Sequence, residues 1–329
     1  MVSPKPEAAR DGWLAAEALG RIAEQSDRDA LRVVTAFLRE PVADEPLFAR
    51  LCSRDGTSVF TDYARDAAAA YGHAGAAEPA YAVLAAIVEG IKIIDDIQDE
   101  EPRSIAAGVG VDRALQLAMA ALAHGLELAA ALPFDAIAAV GRGIRETAIG
   151  QDLESTATGD FESFWNVVDH KTPPLVATAL ELGALAAGAT PAQAAALTQL
   201  AVPLGRLLQV GDDCHDALGT QASDWRAPHL NLLMLYSLSG PHGRELATLL
   251  RAGDDPQILR TAQHWLLRDG ALAYAIHAQL STLESFGQTL EALDLPDPTP
   301  FLRSLGEHRT AAEQLLRTSG VQDDLIASL

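Results

Sequence analysis

Two stretches of this chain repeat one arrangement, an apolar helical run that ends in a cluster of carboxylates. In GIKIIDDIQDEE (90–101), Asp95, Asp96, Asp99, Glu100 and Glu101 fall within seven residues. In QVGDDCHDALG (209–219), Asp212, Asp213 and Asp216 repeat the spacing of the first three. On a helix, each trio spans about 100° of arc and so shares one face. One acidic helix end reads as a solvated cap. Two such ends, each after an apolar run, are hard to assign to solvation alone. They repel each other across a shared cavity unless something positive sits between them.

The rest of the chain is patterned for helices. Alanine and leucine are abundant, and the period-2 alternation of strands is almost absent. Helices are expected at 8–24, 27–40, 42–53, 57–72, 76–101, 108–132, 134–157, 161–188, 191–218, 225–239, 241–252, 255–291 and 299–318, the longest open to breaks. Thr190 before Pro191 reads as an N-cap with proline in the first helical position. No low-complexity linker interrupts the run. The expectation is one all-α domain over residues 1–329, with 1–24 as a peripheral N-terminal helix.

Composition narrows the partners. A net charge of −21 argues against nucleic acid and against an anionic membrane surface. No apolar run of about 18–20 residues is present, so no membrane insertion is expected, and the N-terminus has no signal-peptide core. The only cysteines, Cys52 and Cys214, fit packed thiols in a reducing cytoplasm. Nine scattered histidines make a zinc site a poor expectation.

Hard oxygen clusters without nitrogen or sulfur ligands suit Mg²⁺, which binds through one or two carboxylates and completes its shell with water and substrate phosphate. Two facing clusters with Mg²⁺ would hold a diphosphate. Metal and basic side chains would stabilise it as it leaves and make the carbon it leaves cationic. Apolar helices would then hold a hydrocarbon tail away from water.

Two further stretches complete a pattern. GQDLE (150–154) is followed by FWNVVDHKTPPLVATALELGALAAG (164–188), and the second acidic motif comes after LGRLLQVGDD. In this order the motifs resemble the trans-isoprenyl diphosphate synthases, well over roughly 75–240 and weakly outside. The resemblance implies an antiparallel helical bundle of the isoprenoid synthase type around a central cavity, commonly a homodimer, with about three Mg²⁺ per site. It implies metal ligation by Asp95, Asp96, Asp99, Asp212, Asp213 and Asp216, with the first five of these and Lys171 in catalytic roles. It places Gln151, Asp152 and Gln209 near metal and substrate, and Lys171 on the diphosphate with Thr172 beside it. The plain alternative for Lys171 is a solvated lysine near a helix start.

The chain departs from that family's pattern where a second diphosphate, that of isopentenyl diphosphate, would bind. Gly56 is present, but Thr57 and Ser58 stand where the family has Lys and Arg. Arg103 is alone after the first motif and Arg226 is alone after the second, as remaining substrate-binding cations. A diphosphate needs several charge-assisted hydrogen bonds, which hydroxyls do not replace. Lys92 is unusual, one turn before Asp95 and Asp96. It either reaches the diphosphate, holds an aspartate, or pairs with Glu89 one turn back. A moenomycin-type irregular prenyltransferase looks similar around this lysine.

Three functions compete. The first is a Mg²⁺-dependent terpene cyclase that ionises one allylic prenyl diphosphate. The second is a prenyltransferase, elongating through a degenerate isopentenyl diphosphate site or using an unusual acceptor. The third is a silent regulatory subunit. The aromatic content of 5% weakly opposes the cyclase, and Phe60, Tyr63, Phe161, Phe164, Trp165, Trp225 and Tyr236 read as ordinary core. Gly90 and Ile91 precede the first motif where the family closes its tail pocket. The absent side chain of Gly90 suggests an open face and a tail of about fifteen to twenty carbons.

Overall fold

The computed structural model describes residues 59–101, 104–132, 134–218, 231–252 and 256–318. The expected helices before residue 57, Cys52, the Gly56–Ser58 stretch, Arg103, Trp225 and Arg226 lie outside them. Every regular element among the described residues is helical. In order they are α1 (Val59–Ala70), α2 (Glu78–Gln98), α3 (Ile105–Val109), α4 (Val111–Ala130), α5 (Ile137–Ser155), α6 (Phe161–Lys171), α7 (Pro173–Ala186), α8 (Pro191–Leu197), α9 (Ala201–Leu218), α10 (Leu232–Leu238), α11 (Gly243–Ala252), α12 (Pro256–Arg268), α13 (Ala271–Ala292) and α14 (Thr299–Thr318).

The all-α expectation holds, and three of the long helices are broken, the run 191–218 at a 3₁₀ turn over Thr198–Leu200. The run 161–188 divides at Thr172, because Pro173 and Pro174 have no N–H for the carbonyls of Asp169 and His170. The run 255–291 divides at Gly270, whose φ of +87° is a left-handed conformation that favours glycine. Thr190 caps α8 as expected, in a reciprocal box with Gln193.

Helix α7 is the centre. Its sequence PPLVATALELGALA is apolar on nearly every face, and Leu175, Val176, Ala179, Leu180 and Leu182 are buried. Helices α1, α2, α5, α6, α8 and α9 surround it. Gly183 of α7 lies against the Ala64 backbone of α1, too close for a Cβ, which explains the glycine of LGALAAG. The main core runs through α1, α2, α7 and the start of α9. A second core joins α6 and the end of α9 to α10–α13. The break between α6 and α7 is held from two sides. A Cβ on Gly150 of α5 would strike the backbone of His170 and Lys171, and one on Gly205 of α9 would stand 2.6 Å from Cγ of Pro173. The two glycines let both motif-bearing neighbours approach the point where Lys171 and Thr172 leave the helix.

Candidate active site

The first acidic motif ends α2 beside the C-terminal turns of α5 and α6. Asp95 Oδ1 accepts a hydrogen bond from Gln151 Nε2 at 2.6 Å and lies 2.9 Å from Lys171 Nζ. Gln151 Nε2 also donates to Gln98 Oε1 at 2.8 Å. Lys171 Nζ donates to both oxygens of Glu154, at 2.9 and 2.8 Å. Burial alone would raise the Asp95 carboxyl. The charge and hydrogen bond of Lys171, with Lys92 and Gln151, offset this and hold it below the usual carboxylate range. Burial works to lower the Lys171 ammonium, but Asp95 and Glu154 hold it well above the ordinary lysine value. Lys171 is therefore a fixed cation among carboxylates, not a solvated lysine.

Oxygens of Asp95, Asp99 and Glu154 lie within 4.8 Å of one another. Three hard carboxylates at that spacing fit a divalent cation such as Mg²⁺. Asp96 is held by Lys92, whose Nζ stands 3.2 Å from Asp96 Oδ1. Of the roles open to Lys92, the structure thus shows it holding an aspartate. Helix α2 stops just after Asp99 in a Schellman arrangement: Glu101 N–H donates to Asp96 O at 2.9 Å and Glu100 N–H to Ile97 O at 3.3 Å. Glu100 occupies the left-handed position with φ of +52°.

Glu154 did not figure among the candidates, and Asp152 did. Helical spacing carried the signal, since Glu154 is three residues after Gln151 and shares its face. Asp152, one residue on, points about 100° away, is exposed, and stands outside the carboxylate trio. Gly90 is also placed differently from the expectation of an open pocket face. It is buried against α4, where a Cβ would stand 2.7 Å from Leu122 Cγ and 3.0 Å from Ala118 O. Its small size serves the α2–α4 contact. Ile91 is half-buried against the main core.

The second motif, on α9, is built differently. Asp213 is 1% exposed, and both its oxygens accept bonds, Oδ1 from Gln209 Nε2 at 2.9 Å and Oδ2 from the Leu232 N–H at 2.8 Å. Its carbonyl accepts from Asn231 Nδ2 at 2.9 Å, and Asn231 in turn caps α10. Asp213 thus ties α9 to the start of α10. Asp212 is exposed and Asp216 half-buried. Asp212 is near enough to Tyr63 of α1 to act on its hydroxyl, which burial first, then Asp62, Asp66 and Asp212, push well above the usual tyrosine range.

The two halves meet at a small pocket lined by Glu154, Phe164, Val167, Val168, Lys171 and Gln209. Phe164 is core against Trp165, while Phe161, Tyr274 and Tyr236 form a separate stack toward α10 and α13. The arrangement brings together Asp95, Asp99, Gln151, Lys171 and Gln209 from the expected residues, with Thr172 beside Lys171 at the start of α7, its side chain making no cap hydrogen bond.

The polyprenyl synthetase family model matches residues 62–242, more than half of the chain. The nonaprenyl diphosphate synthase of Mycobacterium tuberculosis is 28% identical over 219 residues, 60% of this chain, and the match spans 65% of that protein, under two thirds of its length. The geranylgeranyl pyrophosphate synthase of Corynebacterium glutamicum, solved with calcium and isoprenyl diphosphate, shares the fold with a TM-score of 0.64 at 22% identity, over 96% of this chain and 99% of that one. The polyprenyl synthase of Caulobacter crescentus, also solved with calcium and isoprenyl diphosphate, has a TM-score of 0.67 at 23% identity, over 92% and 97% of the two chains. With the paired motifs, the GQ and KT stretches and this helical architecture, the chain belongs to the polyprenyl synthetase family.

Proposed function

We propose that the protein is a Mg²⁺-dependent prenyltransferase that ionises an allylic prenyl diphosphate and joins the tail to an acceptor. The observation that carries this is the meeting of Asp95, Asp99 and Glu154 around the fixed ammonium of Lys171. Bound Mg²⁺ would supply charge to a diphosphate leaving group. Lys171 donates a charge-assisted hydrogen bond toward the same place. Gln151 fixes the Asp95 carboxylate, and Lys92 holds Asp96. Asp213 holds Gln209 at the pocket wall, and Asp212 and Asp216 remain as the second motif's ligands.

Transfer is preferred over cyclisation because the family model, the synthase named above and the solved neighbours all concern prenyl synthases. The intact carboxylate trio opposes a silent subunit. The acceptor is isopentenyl diphosphate at a weakened site, or another nucleophile, since Thr57 and Ser58 carry no charge. A second copy of the chain would cover the apolar stripe of Val111, Leu115 and Met119 on α4, which are 50%, 40% and 69% exposed at i, i+4 and i+8. No helix among the described residues is long and apolar enough to cross a membrane, and the buried Cys214 thiol suits a reducing cytoplasm.

The test is incubation of the purified protein with Mg²⁺ and geranyl, farnesyl or geranylgeranyl diphosphate, with and without isopentenyl diphosphate. Longer prenyl diphosphates formed only with isopentenyl diphosphate support elongation. Hydrocarbons formed without it would return the cyclase reading. No release of diphosphate from any substrate would overturn the proposal.

A further inference from the structure

Helix α5 carries two buried oxygens that no group among the described residues satisfies. Thr147 is 2% exposed and its Oγ1 has no hydrogen-bond partner. Gln151 is 8% exposed and its Oε1 has none. The orientation of the Gln151 amide is set by charge, since Nε2 serves Asp95 and Gln98, so Oε1 turns away from both. Thr147 lies four residues earlier, one helical turn or about 6 Å deeper along α5 on the same face. That face crosses the α6–α7 break. Gly143, one turn before Thr147, faces the Thr178 hydroxyl, and Gly150, three residues after it, faces the His170 carbonyl. Two unpaired oxygens thus lie one helical turn apart on the α5 face that meets the α6–α7 break, toward the end that carries the carboxylate trio. A hydroxyl left unpaired in a core destabilises the folded chain, and valine would fill the same volume without that cost. One reason for such a group to persist is that a ligand uses it.

We propose that Thr147 is a catalytic residue for ionisation, its hydroxyl oxygen facing the allylic carbons at the head of the tail. This rests on the prenyl diphosphate reading above. The C1–O bond breaks with its electron pair leaving on the diphosphate, and the allyl group keeps a positive charge shared between C1 and C3. The Thr147 lone pairs, with Gln151 Oε1 above them, stabilise that charge without bonding to it. No proton or further reactant is needed. An apolar tail deeper in the bundle would make no use of these oxygens, so their level on α5 marks where the charge develops.

The experiment compares Thr147→Val and Thr147→Ser with wild type, using farnesyl and geranylgeranyl diphosphate with Mg²⁺. Diphosphate release, thermal midpoint and binding of two probes are measured. One probe is an unreactive thiolodiphosphate. The other is an ammonium analogue of the allylic cation, added with pyrophosphate. Thr147→Val is expected to lower kcat at least about tenfold, with KM and thiolodiphosphate affinity within about twofold and the midpoint equal or higher. Its affinity for the ammonium analogue should fall in step with kcat, and Thr147→Ser should restore both. A Thr147→Val protein with wild-type kcat, or one that loses both probes equally, would overturn the role. A lower midpoint with unchanged kcat would also overturn it, by showing the hydroxyl to be structural. Failure of the wild type to bind or ionise either substrate would instead overturn the prenyl diphosphate reading, and this role with it.

Discussion

The two aspartate motifs share a spacing and differ in everything around it. At the end of α2, Asp95, Asp96 and Asp99 are half-buried or exposed, and the groups that meet them are Lys171, Gln151, Glu154 and Lys92. On α9, Asp213 is buried and both its oxygens hold structure, the Gln209 amide and the first N–H of α10. The cause is which element crosses each helix. Helices α5 and α6 bring a cation and a further carboxylate to α2. Helix α10 brings the unpaired N–H groups of a helix start to α9, and these seek a carboxylate. Equal spacing therefore says which carboxylates share a face. It does not say whether that face is open to a ligand.

The largest contrast should appear when each motif loses its central anchor. Asp95→Ala is expected to reduce diphosphate release by about a thousandfold or more, because it removes a ligand and the partner of Lys171 at once. Its fold should persist, since Lys171 keeps Glu154. Asp213→Ala is expected to destabilise the chain by about 3 kcal/mol, because it strands a buried N–H and the Gln209 amide. Circular dichroism melts beside activity assays would separate the two. An Asp213→Ala protein that melts like wild type would erase the distinction between the motifs.

Glu154 and Asp152 sharpen the same comparison on α5. Glu154→Gln should raise the Mg²⁺ concentration needed for half-maximal activity by about tenfold, roughly 1.4 kcal/mol. Asp152→Asn should leave it within about twofold, being exposed and outside the trio. Metal titrations of the two variants decide it, and equal shifts would mean that the trio is not the metal site.

What could be read from residue order was what a single helix determines. The i, i+1, i+4 spacing of the aspartates and the Thr190 cap are local, and both hold. The break at Thr172 was present in the letters TPP, yet the run 161–188 reads as continuous if the apolar period alone is followed. Residues whose role depends on a crossing helix were illegible. Gly90 has no side chain in either reading, and only the position of Leu122 shows that its face is filled. Asp213 looks like its neighbours until α10 arrives. Glu154 was hidden by the more conspicuous Asp152, although helical phase favoured it.

The charge arrangement at the first motif also has a pH signature. The Asp95 carboxyl is held below its ordinary value of 3.8 in the folded chain. Its contribution to stability is therefore present above that value and is lost as pH falls through the lower folded one. Lys171→Met removes the main opposing charge and leaves burial to raise the carboxyl. The stability gap between wild type and Lys171→Met should be full only above the variant's raised carboxyl, begin to close as pH falls through it, and vanish below the lowered carboxyl of the wild type. Thermal melts across pH would show it. A gap that stays constant on acidification would show that Asp95 does not carry it.

The smallest expected effect lies one residue past the first motif. Glu100 takes the left-handed position of the Schellman arrangement that ends α2, with φ of +52°. Glycine is the usual residue there. A non-glycine residue in this conformation costs about 1–2 kcal/mol, while a glycine costs about 0.5–1 kcal/mol in extra unfolded-state freedom. The difference predicts that Glu100→Gly stabilises the chain by about 0.5–1 kcal/mol. Activity should stay within about twofold, because the Glu100 side chain is exposed and outside the carboxylate trio. Denaturant melts of wild type, Glu100→Gly and Glu100→Ala separate the two causes. Alanine keeps the left-handed strain and removes only the charge, so it should not stabilise as glycine does. If alanine stabilises equally, the gain comes from relieving repulsion among the acidic residues, and the strain at the end of α2 has no measurable weight.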